Sequence, residues 1–171
     1  FPGMPVLLDQ LTARGINWGI VTNKPAFLTD PLIEQLGLQE DAVCVVSGDT
    51  TANRKPHPEP MLHACQLAGS KPEECLYVGD AARDIEAGNA AGMQTLVALF
   101  GYIGAQDQPE TWGANGLIHA PEWPEIEAAG RTRLLVITNE HPEILERTEP
   151  KAEHGPKVEL GHAVDVEFVV G

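Results

Sequence analysis

A chain of 171 residues with 43% hydrophobic residues is sized for one domain with a buried core, and its formal net charge is −14. That charge argues against nonspecific binding to nucleic acid or to an anionic membrane surface, and the sequence holds no apolar run long enough to span a bilayer. The three cysteines, Cys44, Cys65 and Cys75, lie in apolar stretches without C-x-x-C spacing, so they are expected as core residues of a protein in a reducing compartment. No signal peptide is visible, and the expected location is the cytoplasm.

In chain order, residues 4–14 have helical apolar spacing at Val6, Leu7, Leu8 and Leu11, with Gly15 as a stop. Residues 16–21 read as a strand, 25–36 as a helix ended by Gly37, and 42–46 as a second strand. Residues 58–68 read as a helix opened by prolines and ended by Gly69. A strand over 75–78 runs into Gly79, a helix over 82–91 stops at Gly92, and 94–99 is the next strand. Strand and helix alternating every ~25 residues predict an α/β fold, a parallel sheet covered by helices on both faces. Residues 100–124 read as a loop with a small apolar stretch at Leu117-Ile118, and 121–129 as a short helix. The character changes after Gly130, so the expected division is a partial core over 1–130 and a separate C-terminal segment over 131–171. That segment reads as a strand at 134–138, an acidic helix at 142–149, a polar loop at 151–157 and a strand at 164–170.

Three motifs fall at the carboxyl ends of predicted strands, where open parallel sheets bind ligands. The first is Val21-Thr22-Asn23-Lys24-Pro25. Its hydroxyl, its backbone N–H groups and the start of the following helix can serve a phosphate oxygen; a helix N-cap is the alternative for Thr22-Asn23. The second is Arg54-Lys55-Pro56, followed by His57-Pro58. A lysine fixed there offsets phosphate charge, where the alternative is an ordinary solvated lysine. His57 reads as a loop residue and stays outside the catalytic set. The third is Val78-Gly79-Asp80-Ala81-Ala82-Arg83-Asp84. Its two carboxylates, four positions apart, repel each other unless a cation lies between them, and hard oxygen ligands suit Mg²⁺. A helix cap at Asp80 and a dipole contact at Asp84 form the alternative. Residues 1–130 hold only six Lys and Arg, of which Lys24, Arg54, Lys55 and Arg83 lie in or beside these motifs, so the scarce cations gather where an anion would bind.

On these motifs residues 1–130 resemble the haloacid dehalogenase superfamily of phosphotransferases. Within it the chain is similar to bacterial phosphoglycolate phosphatases and N-acetylmuramic acid 6-phosphate phosphatases. That similarity rests on Val21 to Pro25, Lys55-Pro56-His57-Pro58-Glu59-Pro60, Phe100-Gly101-Tyr102 and Trp112-Gly113-Ala114. The resemblance implies a Rossmann-like core and a two-step, Mg²⁺-dependent hydrolysis of a small phosphorylated metabolite through an aspartyl-phosphate. It implies that Thr22 holds the transferred phosphoryl group, with Asn23 and Lys24 in the phosphate-binding set. Lys55 would stabilise the nucleophile and the developing charge, Asp80 would bind the metal, and Asp84 would hold the metal or its water.

One departure from that pattern matters. No Asp-x-Asp-Gly-Thr strand and no cap domain precede the first helix, so the expectation is a chain inactive by itself and part of an active phosphatase. The alternative is a non-catalytic phosphate- and metal-binding or interaction module. The spacing Asp165-Val166-Glu167 imitates an acid-x-acid pair, but Phe168 follows and ordinary strand alternation explains it better. The run at 134–138 is a candidate for the central sheet position that the family gives to the nucleophile strand. Sequence leaves the substrate and the oligomeric state open.

Overall fold

The computed structural model of the chain describes residues 1–122, 126 and 127, and the backbone of 134–137. The predicted elements at 142–149, 151–157 and 164–170, and the acid-x-acid pair, lie outside the described residues. The described residues include four helices, α1 (Met4–Ala13), α2 (Ala26–Gln35), α3 (Glu59–Ala68) and α4 (Ala82–Ala91). The strands are β1 (Asn17–Val21), β2 (Val45–Val46), β3 (Cys75–Gly79), β4 (Gln94–Ala98), β5 (Gly116–Ile118) and β6 (Leu134–Ile137). Each helix is followed by a glycine with positive φ, at Gly15, Gly37, Gly69 and Gly92, as their sequence positions predicted.

The six strands form one sheet in the order β2-β1-β6-β3-β4-β5, and every pairing is parallel. Alternation along β3 shows why the strands carry no polar face. Leu76 and Val78 join the core beneath α1, with Leu7, Leu11 and Trp18. Cys75 and Tyr77 join the opposite core beneath α3 and α4, with Met61, Ala64 and Ala87. Successive side chains point to opposite faces, so a sheet covered on both sides needs apolar residues at every position.

β6 takes the central place. Its Leu134 to Ile137 pair with Asn17 to Ile20 of β1 on one side and with Cys75 to Val78 of β3 on the other. The run expected to fill the middle of the sheet is therefore found there, though it follows Gly130. Strand β2 is shorter than the predicted 42–46. Val43 is 40% exposed at the sheet edge, and the pairing nearby consists of single hydrogen bonds, Val43 N to Trp18 O at 2.9 Å and Ile20 N to Cys44 O at 3.0 Å. The apolar stretch at Leu117-Ile118 is not loop but part of β5, which extends the sheet beyond β4. Of the helix expected at 121–129, residues 126 and 127 are described and helical, and Ile126 is buried against α1. Among the described residues no helix is long and apolar enough to cross a membrane.

Candidate active site at the carboxyl edge of the sheet

The three motifs meet around one buried ammonium. Lys55 lies in the loop between β2 and α3, and its Nζ contacts Asp84 Oδ1 at 2.8 Å, with neither side chain exposed. The same Nζ donates to the Val21 carbonyl at 3.0 Å and to the Tyr77 hydroxyl at 3.1 Å. Tyr77 passes the arrangement on, its hydroxyl donating to Asp84 Oδ1 at 3.1 Å. An ammonium has three donors, and three protein acceptors surround this one, so its charge is neutralised and fixed in the interior. The ordinary solvated lysine is excluded by burial.

Asn23 makes the second connection between the motifs. Its Nδ2 donates to the Lys55 carbonyl at 2.9 Å, and its Oδ1 accepts the Lys55 backbone N–H at 3.0 Å. The side-chain amide thus imitates a strand neighbour and clamps the Lys55 backbone, which is joined to Pro56 by a cis peptide. Asn23, expected among the phosphate-binding residues, uses its amide to position Lys55. Thr22, directly after β1, is 4% exposed, and its Oγ1 accepts the backbone N–H of Lys24 at 3.0 Å. Lys24 is also buried, and its carbonyl is bonded by the Gly48 N–H at 2.8 Å and the Thr29 hydroxyl at 3.1 Å.

The start of α2 has a partner of its own. Its first N–H, from Ala26, donates to Asp49 Oδ1 at 2.8 Å. The positive helix end expected to face a phosphate already has a carboxylate from the next loop beside it. Sequence spacing gave no signal for this, because Asp49 lies 23 residues away.

At β3 the two aspartates divide their roles. Asp84, on the first turn of α4, also accepts the Ala81 N–H on Oδ2 at 3.1 Å. The alternative reading put a helix cap at Asp80 and a dipole contact at Asp84; the contact at the helix start is made by Asp84, alongside its ion pair. Asp80 is 2% exposed at the strand end, and its Oδ2 accepts the Tyr102 N–H at 2.9 Å. The loop carrying Tyr102 presses onto this carboxylate. A Cβ on Gly101 would stand 2.3 Å from Asp80 Cβ and 2.7 Å from Oδ2, so only glycine allows the approach. The loop is anchored by Phe1, whose ring packs edge-on against Phe100 at 5.5 Å and Tyr102 at 5.9 Å. His57 lies in the loop before α3, and its Nδ1 accepts the Glu59 N–H at 3.2 Å.

Among the described residues no group of three or more His, Cys, Asp or Glu could hold a metal ion. The donors at the strand end are the carboxylates Asp80 and Asp84. Mg²⁺ commonly takes one or two carboxylates, with waters and substrate oxygens completing its shell, and this donor set fits that habit. Tyr77, Gly101 and Tyr102 escaped the sequence reading as site residues. Tyr77 stood inside a strand pattern, and the other two lie over twenty positions from Asp80, which the Tyr102 N–H bonds and Gly101 leaves room for.

Comparison with known proteins agrees with this geometry. Residues 1–98 match the sequence family described as haloacid dehalogenase-like hydrolase. A phosphoglycolate phosphatase of Xylella fastidiosa is 46% identical over 121 residues, covering 71% of this chain and 53% of that protein. An N-acetylmuramic acid 6-phosphate phosphatase of Pseudomonas putida is 40% identical over 121 residues, covering 71% and 54%. The crystal structure of a predicted phosphoglycolate phosphatase from Haemophilus somnus superposes with a TM-score of 0.68 at 25% identity, covering 76% of this chain and 57% of that one. The chain spans about half the length of the curated relatives it matches.

Proposed function

We propose, from the premise that the chain belongs to the haloacid dehalogenase-like hydrolase family, that it is the phosphate- and metal-binding portion of a phosphatase acting on a small phosphate monoester. The observation that carries this reading is the convergence of the three motifs on the Lys55–Asp84 pair, with Nζ to Oδ1 at 2.8 Å, at the carboxyl edge of a parallel sheet. Thr22 stands at the end of β1 to hold a phosphoryl oxygen. Lys55 supplies a fixed positive charge that needs no reorganisation when anionic charge develops nearby. Asp80 would hold Mg²⁺ directly. Asp84, already engaged by Lys55, would reach the ion through water. When bound, the ion supplies further positive charge against the phosphate. The substrate class is that of the relatives' names, a phosphoglycolate-like acid or a sugar phosphate. The place of action is the cytoplasm.

A second reading draws support from β6. The resemblance gives the central sheet position to the nucleophile strand, and here that position holds the uniformly apolar Leu134-Leu135-Val136-Ile137. A chain so filled would bind phosphate without turning it over.

Co-expression with an N-terminal segment of a relative, carrying an Asp-x-Asp-Gly-Thr strand and a helical cap, separates the two. Mg²⁺-dependent release of phosphate from phosphoglycolate or N-acetylmuramic acid 6-phosphate, abolished by Asp80→Asn, is expected for the phosphatase. Phosphate-dependent stabilisation with no turnover would move the conclusion to the binding module.

A further inference from the structure

Away from the proposed site, two thiols meet inside the core beneath α3 and α4. Cys65 is in the last turn of α3 and Cys75 opens β3, and their sulfurs are 3.7 Å apart. Both side chains are buried, at 3% and 2% exposure. The chain between them is a compact surface turn. Ser70 N–H bonds back to the Cys65 carbonyl at 3.0 Å, and the Cys75 thiol lies 3.0 Å from the Lys71 carbonyl. The two cysteines are therefore held side by side at the ends of one tight connection. A disulfide needs the sulfurs at about 2 Å, with the Cβ atoms close and correctly directed. The sulfurs, at 3.7 Å, have less than two ångströms left to close.

We propose that Cys65 and Cys75 form a peroxide-sensitive thiol pair that closes to an intramolecular disulfide. The Cys65 thiolate attacks one oxygen of hydrogen peroxide, the O–O bond breaks, and hydroxide leaves to be protonated to water. Cys65 is then a sulfenic acid. The Cys75 sulfur attacks the sulfenic sulfur, the S–O bond breaks, and the departing hydroxide takes the Cys75 proton as a second water. Each sulfur is oxidised by one electron and the peroxide is reduced by two. The direction of attack follows from the geometry. The Cys75 thiol donates to the Lys71 carbonyl at 3.0 Å, which holds its proton in place, and in keeping with this the contact between the sulfurs lowers the Cys65 thiol and raises Cys75. The thiolate is the reactive form, so Cys65 leads and Cys75 resolves. The third thiol, Cys44, is pushed up to about 11, first by burial, and stays reduced. The bond ties the end of α3 to the start of β3, the helix whose first turn follows Lys55-Pro56 and the strand that ends at Asp80.

The experiment treats the reduced full chain with stoichiometric hydrogen peroxide, alkylates it and measures its intact mass. The expected product has lost two hydrogens and carries one alkyl group where the reduced chain carries three, and a thiol reductant reverses both changes. Glu73 and Glu74 lie between the two cysteines, so cleavage by a Glu-specific protease yields two peptides joined only by the bond. Cys75→Ser is expected to stop at the sulfenic acid, trapped by a carbon nucleophile at Cys65. Cys44→Ala is expected to close as the unaltered chain does. Three alkylatable thiols after peroxide, or a bond through Cys44, would overturn the proposal. The peptide map of the unaltered chain decides the matter even where a variant fails to fold.

Discussion

The Lys55 ammonium is bonded to Asp84, Tyr77 and the Val21 carbonyl, and neither member of the ion pair is exposed. A buried pair is costly to desolvate, and removing one partner leaves the other charge uncompensated. Lys55→Met is therefore expected to lower stability by about 3–5 kcal/mol, read as a shift of the urea midpoint at neutral pH. Lys55→Met with Asp84→Asn should recover part of that loss; no recovery would mean the lysine stem, not the charge, carries the effect. The Cys44 thiol supplies a pH prediction. Burial raises it from 9.0 to about 11, so the folded chain keeps the proton through a window where the unfolded chain releases it. Stability from this group is full below pH 9.0 and falls as the pH climbs toward 11. Cys44→Ala should flatten the decline in thermal midpoint between those values; an unchanged slope would assign it to other groups.

At the scale of elements, α4 is the piece that links packing to the site. It rests on β3 and β4, and its first turn carries Asp84. The close approach depends on Gly88, where a Cβ would lie 2.6 Å from Thr95 Cγ2 and 3.0 Å from the Tyr77 ring. Alanine would favour the helix by about 1 kcal/mol, but the collision is worth about 1–3 kcal/mol in the other direction. Gly88→Ala is thus expected to lower the thermal midpoint, and to disturb Tyr77, which holds both Lys55 and Asp84. A midpoint equal to or above that of the unaltered chain would show that α4 can slide outward without cost.

For the molecule as a whole, β6 joins two halves of a sheet. Without it β2-β1 and β3-β4-β5 would each present an inner edge, along Asn17 to Ile20 and Cys75 to Val78. Unpaired apolar edges promote association with other chains. A chain ending at Gly130 is therefore expected to lose its cooperative thermal transition and to elute as aggregates in size-exclusion chromatography with light scattering. The proposed division into a core over 1–130 and a separate segment over 131–171 makes the opposite prediction, a monomer with the same midpoint.

Periodicity, glycine stops and apolar runs lie within a few residues of one another, so the sequence by itself determined α1 to α4, the strands β1, β3 and β4, and the location of Thr22 and Asp80 directly after strands, of Lys55 in the loop before α3 and of Asp84 at the start of α4. Each of those features is a strand, a turn and a helix read from neighbouring residues. The tertiary structure alone decided what these residues hold. Asn23 turned to the backbone of Lys55, 32 positions away, and Tyr102 to Asp80 at 22 positions. Asp49 covered the start of α2 and Tyr77 bridged lysine to aspartate. Such contacts are set by which loops the sheet order brings together, and that order, with a late strand at its centre, is a long-range outcome that local spacing does not encode.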